Sequence, residues 1–339
     1  METKNILITG ATGTVGIEVL KQFATSVDKY NITAFDIKTK QSVKKLSQFK
    51  NKIKIVFGDI SNINDVKKIS KNKDFVIHLA AIIPPLADEK PELAYEINTQ
   101  GTKNIVKQLE QNSPDTFFLY SSSISVYGDR LSNPNITIND PLNPSKGDEY
   151  AVTKIEAENI ITSSNLNWSI FRLCAIMGGH KISKLMFHQP LETFLEIATP
   201  EDTARAFVNA IDYKPQLNKK IFNLSGGEKC RIIYKDFLEK SFEIYGLGKL
   251  DFPVKAFAEK NFHCGYYTDG NELEDILHFR NDTLNSYFEK EKTKITTFQI
   301  VITSLLKKFI KKRLLKKSEP YFAFKTNNKN MIKQFFNYT

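Results

Sequence analysis

Asn5-Ile6-Leu7-Ile8-Thr9-Gly10-Ala11-Thr12-Gly13-Thr14-Val15-Gly16 is the stretch that decides the fold. Its first four residues read as a buried strand, and a helix over Ile17 to Phe23 opens directly behind the glycines. Glycines at Gly10, Gly13 and Gly16 let the backbone turn sharply and come close to a pyrophosphate, whose charge settles on the helix N-terminus. Asp36 follows Gly16 by 20 residues, at the end of the next strand. A carboxylate there accepts hydrogen bonds from the adenosine ribose and repels a 2′-phosphate. The pattern predicts a dinucleotide site for NAD rather than NADP, with Gly10, Thr12, Gly13, Val15, Gly16 and Asp36 in contact.

Working outward, strand and helix patterns alternate through the first half. Strands are expected at Asn31 to Phe35, Lys54 to Phe57, Asp74 to Leu79, Thr116 to Tyr120 and Trp168 to Leu173. Helices are expected at Asn64 to Ser70, Leu93 to Gln111 and Glu149 to Ser163. Such alternation gives an α/β fold: a Rossmann-like, doubly wound parallel sheet with helices on both faces. Leu131 to Pro144 carries three prolines and reads as a surface loop. After Leu173 the pattern loosens, as expected of a smaller C-terminal substrate lobe. The division expected is 1–177 for the NAD-binding domain, with 201–224 returning to it. Residues 178–200 and 225–291 form the lobe, and 292–339 a basic amphipathic tail.

Tyr150-Ala151-Val152-Thr153-Lys154 puts a phenol and an ammonium four apart, on one helix face. An ammonium beside a phenol lowers its pKa, which fits a Tyr for proton exchange near neutral pH. Ser121-Ser122-Ser123 sits at the C-terminal end of a sheet strand, the edge where ligands gather in such sheets. A hydroxyl there can hold a substrate oxygen while the Tyr moves its proton. Surface pairing of Tyr150 with Lys154, and serines that only cap a turn, are the plainer alternatives.

These residues carry a resemblance. The chain resembles an extended short-chain dehydrogenase/reductase of the NAD-dependent epimerase/dehydratase family. TGATGTVG, Asp36, Gly58-Asp59-Ile60, His78-Leu79-Ala80-Ala81, Asn98-Thr99-Gln100-Gly101-Thr102, SSSISVYG and YAVTK fall in that family's order, densely over residues 5–177. The resemblance implies Ser123, Tyr150 and Lys154 as the catalytic set, with Lys154 also on the nicotinamide ribose. It implies that Ile60, Leu79, Ala80 and Ala81 line the cofactor's path and that Asn98 braces the site or touches the cofactor. Asp59 has two readings, an adenine contact or the N-cap of the next helix.

Departures from the family narrow the chemistry. Members that dehydrate sugars usually carry Thr-Asp-Glu where this chain has Ser123-Ile124-Ser125, so dehydration is not expected. Nucleotide-sugar members usually have an Asn where Ala175 stands. They also commonly place an Arg shortly before a Gly-Asp, a place where Asn261 to Asp269 holds none. Candidate substrate contacts are Ser123, His188, Arg231 and His263. His188, His263 and Cys264 have no metal-ligand spacing, so no metal is expected.

Composition bounds the rest. Cys174, Cys230 and Cys264 are unevenly spaced, which fits free thiols in a reducing cytoplasm. Of the net +10, residues 292–317 hold nine Lys and Arg with no acid, residues 318–339 hold +2, and the other 291 residues carry −1. Phe298, Ile302, Leu305 and Phe309 recur at helical spacing within that basic segment. The favoured expectation is a helix whose apolar stripe docks on the protein body; the second reading is peripheral contact with an anionic membrane. Nucleic acid is not an expected partner, since no aromatic platform is interleaved with the lysines. The sequence thus predicts an enzyme moving hydride at a secondary alcohol or ketone of a small molecule, with a sugar or nucleotide sugar among the candidate substrates. A homodimer is compatible with it. The competing class is a non-catalytic NAD-binding sensor or scaffold with a membrane-associating tail.

Overall fold

A computed structural model describes residues 3–25, 29–178 and 182–337; residues 26–28, 179–181 and 338–339 of the segments named above lie outside it. Seven strands make the main sheet: β1 (Lys4–Thr9), β2 (Tyr30–Asp36), β3 (Lys54–Phe57), β4 (Phe75–His78), β5 (Phe117–Ser123), β6 (Asn167–Leu173) and β7 (Lys220–Leu224). They pair in parallel throughout, in the order β7-β6-β5-β4-β1-β2-β3. The order reverses between β1 and β4, and such a switch point opens a crevice at the carboxyl ends of the strands.

Alternation along β1 shows how the sheet is held. Ile6 and Ile8 face one core with Val19, Leu20 and Phe23 of helix α1 (Thr14–Phe23) and Phe207 of the returning helix Pro200–Asn209. Leu7 faces the opposite core with Val66, Ile105, Leu109 and Ile161. Both faces are therefore covered, as a parallel sheet requires. Helix α1 begins at Thr14, three residues before the expected start, because Gly13 already takes the N-cap position.

Two expected elements differ in form. The helix anticipated from Leu93 is three pieces: a short turn Pro91–Ala94, a π-helical turn Tyr95–Gln100 and a helix Gly101–Asn112. The proline-rich loop holds a short strand, Asn135–Ile136, paired with Tyr266–Tyr267. Arg130 fastens it by donating to the carbonyls of Asn133 (2.8 Å) and Asn135 (2.6 Å) and by pairing with Asp140.

Beyond the sheet, Ala175–Ile176, Phe194–Ala198 and Arg231–Ile233 form a three-stranded sheet. It shares a core with Phe187, Phe237, Phe242, Phe288 and, from the basic segment, Leu314. The tail departs from its favoured expectation. Its long helix, α2 (Thr297–Leu315), touches the body through Ile310, Leu314 and Leu315. The stripe expected to dock points the other way, with Phe298 73%, Ile302 39%, Leu305 80% and Phe309 65% exposed. Residues beyond α2 do dock: Phe335 and Phe336 are buried with Ala258 and Ala323. No helix among the described residues is long and apolar enough to cross a membrane.

Candidate active site

At the switch point a cleft of about 350 Å³ is lined by Gly10, Thr12, Gly13, Asp36, Asp59 and the segment Leu79 to Ile82, among others. Gly10 adopts φ +66°, and a Cβ there would stand 2.6 Å from the Ala80 backbone nitrogen. A Cβ on Gly16 would stand 2.4 Å from the Gly10 carbonyl oxygen. The loop is thus folded so tightly that only glycine fits, and α1 starts with no side-chain cap on its first N–H groups. Uncapped helical N–H donors beside a glycine cradle are the donor set a pyrophosphate takes. Asp36 accepts from Thr12 N (2.7 Å) and Ile37 N (2.8 Å), so the carboxylate also locks the loop it follows. These residues fit a dinucleotide.

Asp59 lines the cleft and is not a helix cap. Its Oδ1 accepts from Ser61 N and Ser61 Oγ, both at 2.9 Å, while Asn62 caps the next helix. Ile60, Leu79, Ala80 and Ala81 line the cleft as expected. Val15, Gly16 and Asn98 do not. Val15 packs against the core, and Gly16 is spent on the contact with Gly10. Asn98, 1% exposed, accepts from Ile82 N (2.7 Å) and donates to Ile82 O and Thr153 Oγ1, both at 3.0 Å. It braces the cleft wall against the helix Glu149–Thr162, from the π-helical turn that local distortions at sites often use.

Beneath the wall, His78 is buried between Thr9 Oγ1 (2.6 Å from Nδ1) and Thr102 Oγ1 (3.0 Å from Nε2). Thr102 gives its own hydrogen to Asn98 O (2.6 Å), so it accepts from Nε2–H, and Nδ1 accepts from Thr9. Burial, with the Lys154 ammonium adding to it, pushes the imidazole down to about 3 and keeps it neutral.

Ser123, Tyr150 and Lys154 do come together. Ser123 ends β5 and its Oγ accepts from Ser125 N (3.2 Å). Tyr150 lies on the first turn of its helix, which Asp148 caps by accepting from Ala151 N (2.9 Å). Lys154 is 2% exposed, donates to Ser121 O at 2.7 Å, and sits 5.6 Å from the centre of the Tyr150 ring. The electrostatics run opposite to the sequence expectation. Burial holds the Tyr150 phenol above the ordinary tyrosine range; the Ser123 hydroxyl pulls it down and Asp148 pushes it further up. Burial also pushes Lys154 down to about 7, against Glu158. The ammonium stands nearer the Tyr120 ring (4.7 Å) than the Tyr150 ring, and burial is the largest influence on the Tyr150 phenol.

One helical turn past Lys154, Glu158 was not anticipated, although its spacing of four continues the face that carries Tyr150 and Lys154. It pairs with Arg172 through two contacts (2.6 and 3.0 Å) and accepts from Ser122 Oγ (2.5 Å). Arg172 donates to Tyr127 OH (2.8 Å), Tyr127 to Asn223 (2.9 Å) and Asn223 to Asp269 (2.8 Å). A polar line thus joins the helix Glu149–Thr162 to Asp269.

The second space is a cavity of about 760 Å³. Ser123 lines it with Pro84, Pro85, Met177, Phe237, Phe262 and His263, and no Lys or Arg does so among the described residues. The chain runs from the cleft wall at Leu79 to Ile82 into the cavity wall at Pro84 and Pro85. His263 reaches Asp148 Oδ2 at 2.8 Å, which ties the cavity to the cap of the Tyr150 helix. Asp88 joins this group, its carboxyl raised to about 6 by burial and by Asp148, with His263 opposing.

Two substrate candidates are placed elsewhere. His188 pairs with Glu319 at 2.8 Å, on the tail side of its short helix Leu185–His188. Arg231 donates to Glu196 (3.3 Å) and Tyr267 O (2.9 Å) and lies over the Tyr266 ring, so its charge is engaged within the lobe. The partner of His188 comes from distant sequence, and Glu196 lies 35 residues from Arg231. Among the described residues no group of His, Cys, Asp and Glu side chains is arranged to hold a metal. The three cysteines are free and buried.

A parallel sheet ordered 3-2-1-4-5-6-7, a glycine cradle at its switch point and a Ser, Tyr and Lys beside it define an extended short-chain dehydrogenase/reductase. The chain belongs to the 3-beta hydroxysteroid dehydrogenase/isomerase family, which it matches over residues 7–177. Curated relatives include D-erythronate dehydrogenase of Haemophilus influenzae, 38% identical over 63 residues, 19% of this chain and 20% of that protein. A decarboxylating sterol-4-alpha-carboxylate 3-dehydrogenase of Candida albicans is 28% identical over 182 residues, 52% of this chain and 50% of that one. The chain spans between a fifth and a half of the length of these curated relatives. Among solved structures, a variant of UDP-glucuronic acid 4-epimerase from Bacillus cereus, in complex with NAD, has a TM-score of 0.72 at 18% identity. That likeness covers 85% of this chain and 98% of the other.

Proposed function

We propose that this protein is an NAD-dependent oxidoreductase acting on a secondary alcohol or its ketone, with Tyr150 as the acid/base. The carrying observation is that Ser123, Tyr150 and Lys154 converge beside a cavity whose wall continues from that of the glycine cleft. Gly10, Thr12, Gly13, Asp36, Asp59 and Ala80 would hold the dinucleotide, in the part of the chain spanning 1–177 and 201–224. When bound, NAD supplies the hydride acceptor or donor. Ser123 Oγ holds the substrate oxygen, and Tyr150 Oη gives it a proton in reduction or takes one in oxidation. Lys154 orients the phenol through its ring and through Ser121 O.

Among the described residues the cavity lining holds no Lys or Arg for a diphosphate, which supports a neutral group for the part of the substrate that enters the lobe, 178–200 and 225–291. A sugar ring or its derivative meets that requirement. Epimerisation uses the same residues when the ketone turns over and is reduced on its other face. Three buried free thiols fit a cytoplasmic setting.

The test is NADH consumption with a panel of neutral ketones, repeated with Tyr150→Phe. Turnover should fall roughly 10²- to 10⁴-fold, the usual share of a general acid, while NADH affinity by fluorescence stays within a few fold. A variant that keeps most of the turnover would exclude Tyr150 from the chemistry.

A further inference from the structure

The long helix α2 is held by one narrow face. Its start is fixed by Thr296, whose Oγ1 accepts from Gln299 N (3.2 Å) while Thr296 N donates back to Gln299 Oε1 (2.9 Å). Its far end is fixed by Leu314, and by Lys311, which donates to Lys249 O (2.7 Å) and pairs with Asp251. Between those anchors Phe298, Val301, Ile302, Leu305 and Phe309 are all exposed. At 3.6 residues per turn they fall within roughly 60° of one line along the helix. Lys308, Lys312 and Lys316, also exposed, continue that line. A helix with an outward apolar half and an outward basic half, in a segment with nine cations and no acid, is not explained by packing on its own protein.

We propose that α2 is a docking surface for an anionic lipid membrane. The apolar half would enter the boundary between headgroups and acyl chains, and the lysines would meet the anionic headgroups. A second copy of the chain is the poorer occupant. Facing two such helices would bring like charges together on both sides, with no carboxylate in the segment to relieve them. The helix also sits on the outer wall of the cavity. Its Ile300 carbonyl oxygen is 2.7 Å from where a Cβ on Gly246 would be, and Tyr245 and Leu247 on either side line the cavity. Docking would therefore bring a bilayer alongside that wall. The inference stands apart from the chemistry proposed above, since it uses none of the same residues.

The experiment is co-sedimentation of the full chain with vesicles of phosphatidylcholine alone, or mixed with phosphatidylglycerol, at low and at physiological salt. Leu305→Asp/Phe309→Asp is run alongside; both side chains are exposed, so the fold should survive, and a thermal melt checks it. Binding to the anionic vesicles, weakened by salt and at least tenfold lower in the variant with an unchanged melt, is the expected result. Three outcomes would overturn the proposal: no binding at low salt, binding that the variant leaves unchanged, or a concentration-dependent dimer that the variant dissociates. The last would make the stripe a self-association face.

Discussion

The glycine cleft and the apolar cavity are linked by the stretch from Ile82 to Pro84 but are built differently. The cleft is shaped by backbone: Gly10 against Ala80, Gly16 against Gly10, and Asp36 gripping the amide of Thr12. The cavity is shaped by side chains that arrive from many segments, with Met177, Phe237 and Phe262 among them. A backbone-built site tolerates almost no added volume. A side-chain-built one is expected to tolerate substitutions that preserve volume and polarity. The difference separates a part of the molecule with a fixed shape from a part whose lining is free to vary.

The largest effect should come from the buried polar line that runs from the helix Glu149–Thr162. Arg172→Met leaves the Glu158 carboxylate buried without its partner, and breaking a buried pair costs about 3–5 kcal/mol. Urea denaturation should register that loss, and Glu158→Gln in the same chain should return part of it. An unchanged unfolding midpoint for Arg172→Met would mean that the buried line does not stabilise the fold. Next comes Gly10→Ala. A methyl at positive φ against the Ala80 backbone forces a strain of about 1–3 kcal/mol, up to roughly 100-fold in affinity. NADH fluorescence titration should show that loss, while Met177→Leu in the cavity leaves NADH affinity untouched. Equal losses in both variants would erase the distinction drawn above. The smallest effect should be Asp36→Asn, which keeps an acceptor for Thr12 N but removes the charge facing a 2′-phosphate. The preference for NAD over NADP should narrow by about tenfold, or 1.4 kcal/mol, in parallel titrations with the two nucleotides.

The same difference explains what could be read from the chain. Strand Lys54–Phe57 occupies its expected bounds, because a short apolar run between polar turns is a local signal. Cleft residues were legible for a related reason: glycine positions at fixed spacing encode backbone shape directly. Asn98 takes the first of its two readings and braces the wall, while Gly16 packs on the Gly10 carbonyl, a distinction that spacing does not carry. The helix Lys40–Leu46 went unread, since its apolar signal is thin, although Gln41, Ser42 and Lys45 line the cleft. His188 and Arg231 looked available for substrate because nothing nearby in sequence claims them. Their partners, Glu319 and Glu196, become visible only when the chain is folded. In the tail, helical spacing of Phe298, Ile302, Leu305 and Phe309 is legible, but periodicity does not say which face meets the body.

Glu319 binds Lys184 (3.0 Å) and His188 (2.8 Å), while Lys184 also reaches Glu89, four residues past Pro85 of the cavity wall. The segment from Ser183 to Gln189 contributes Ser183, Leu185, Met186 and Gln189 to the cavity lining. Chains emerge from the ribosome N-terminus first, and domains generally fold as units in that order. The sheet can close once β7 has emerged, long before Glu319 does. The nucleotide cleft is therefore finished early in synthesis, whereas the cavity wall waits for a clasp made more than a hundred residues after the segment it fastens.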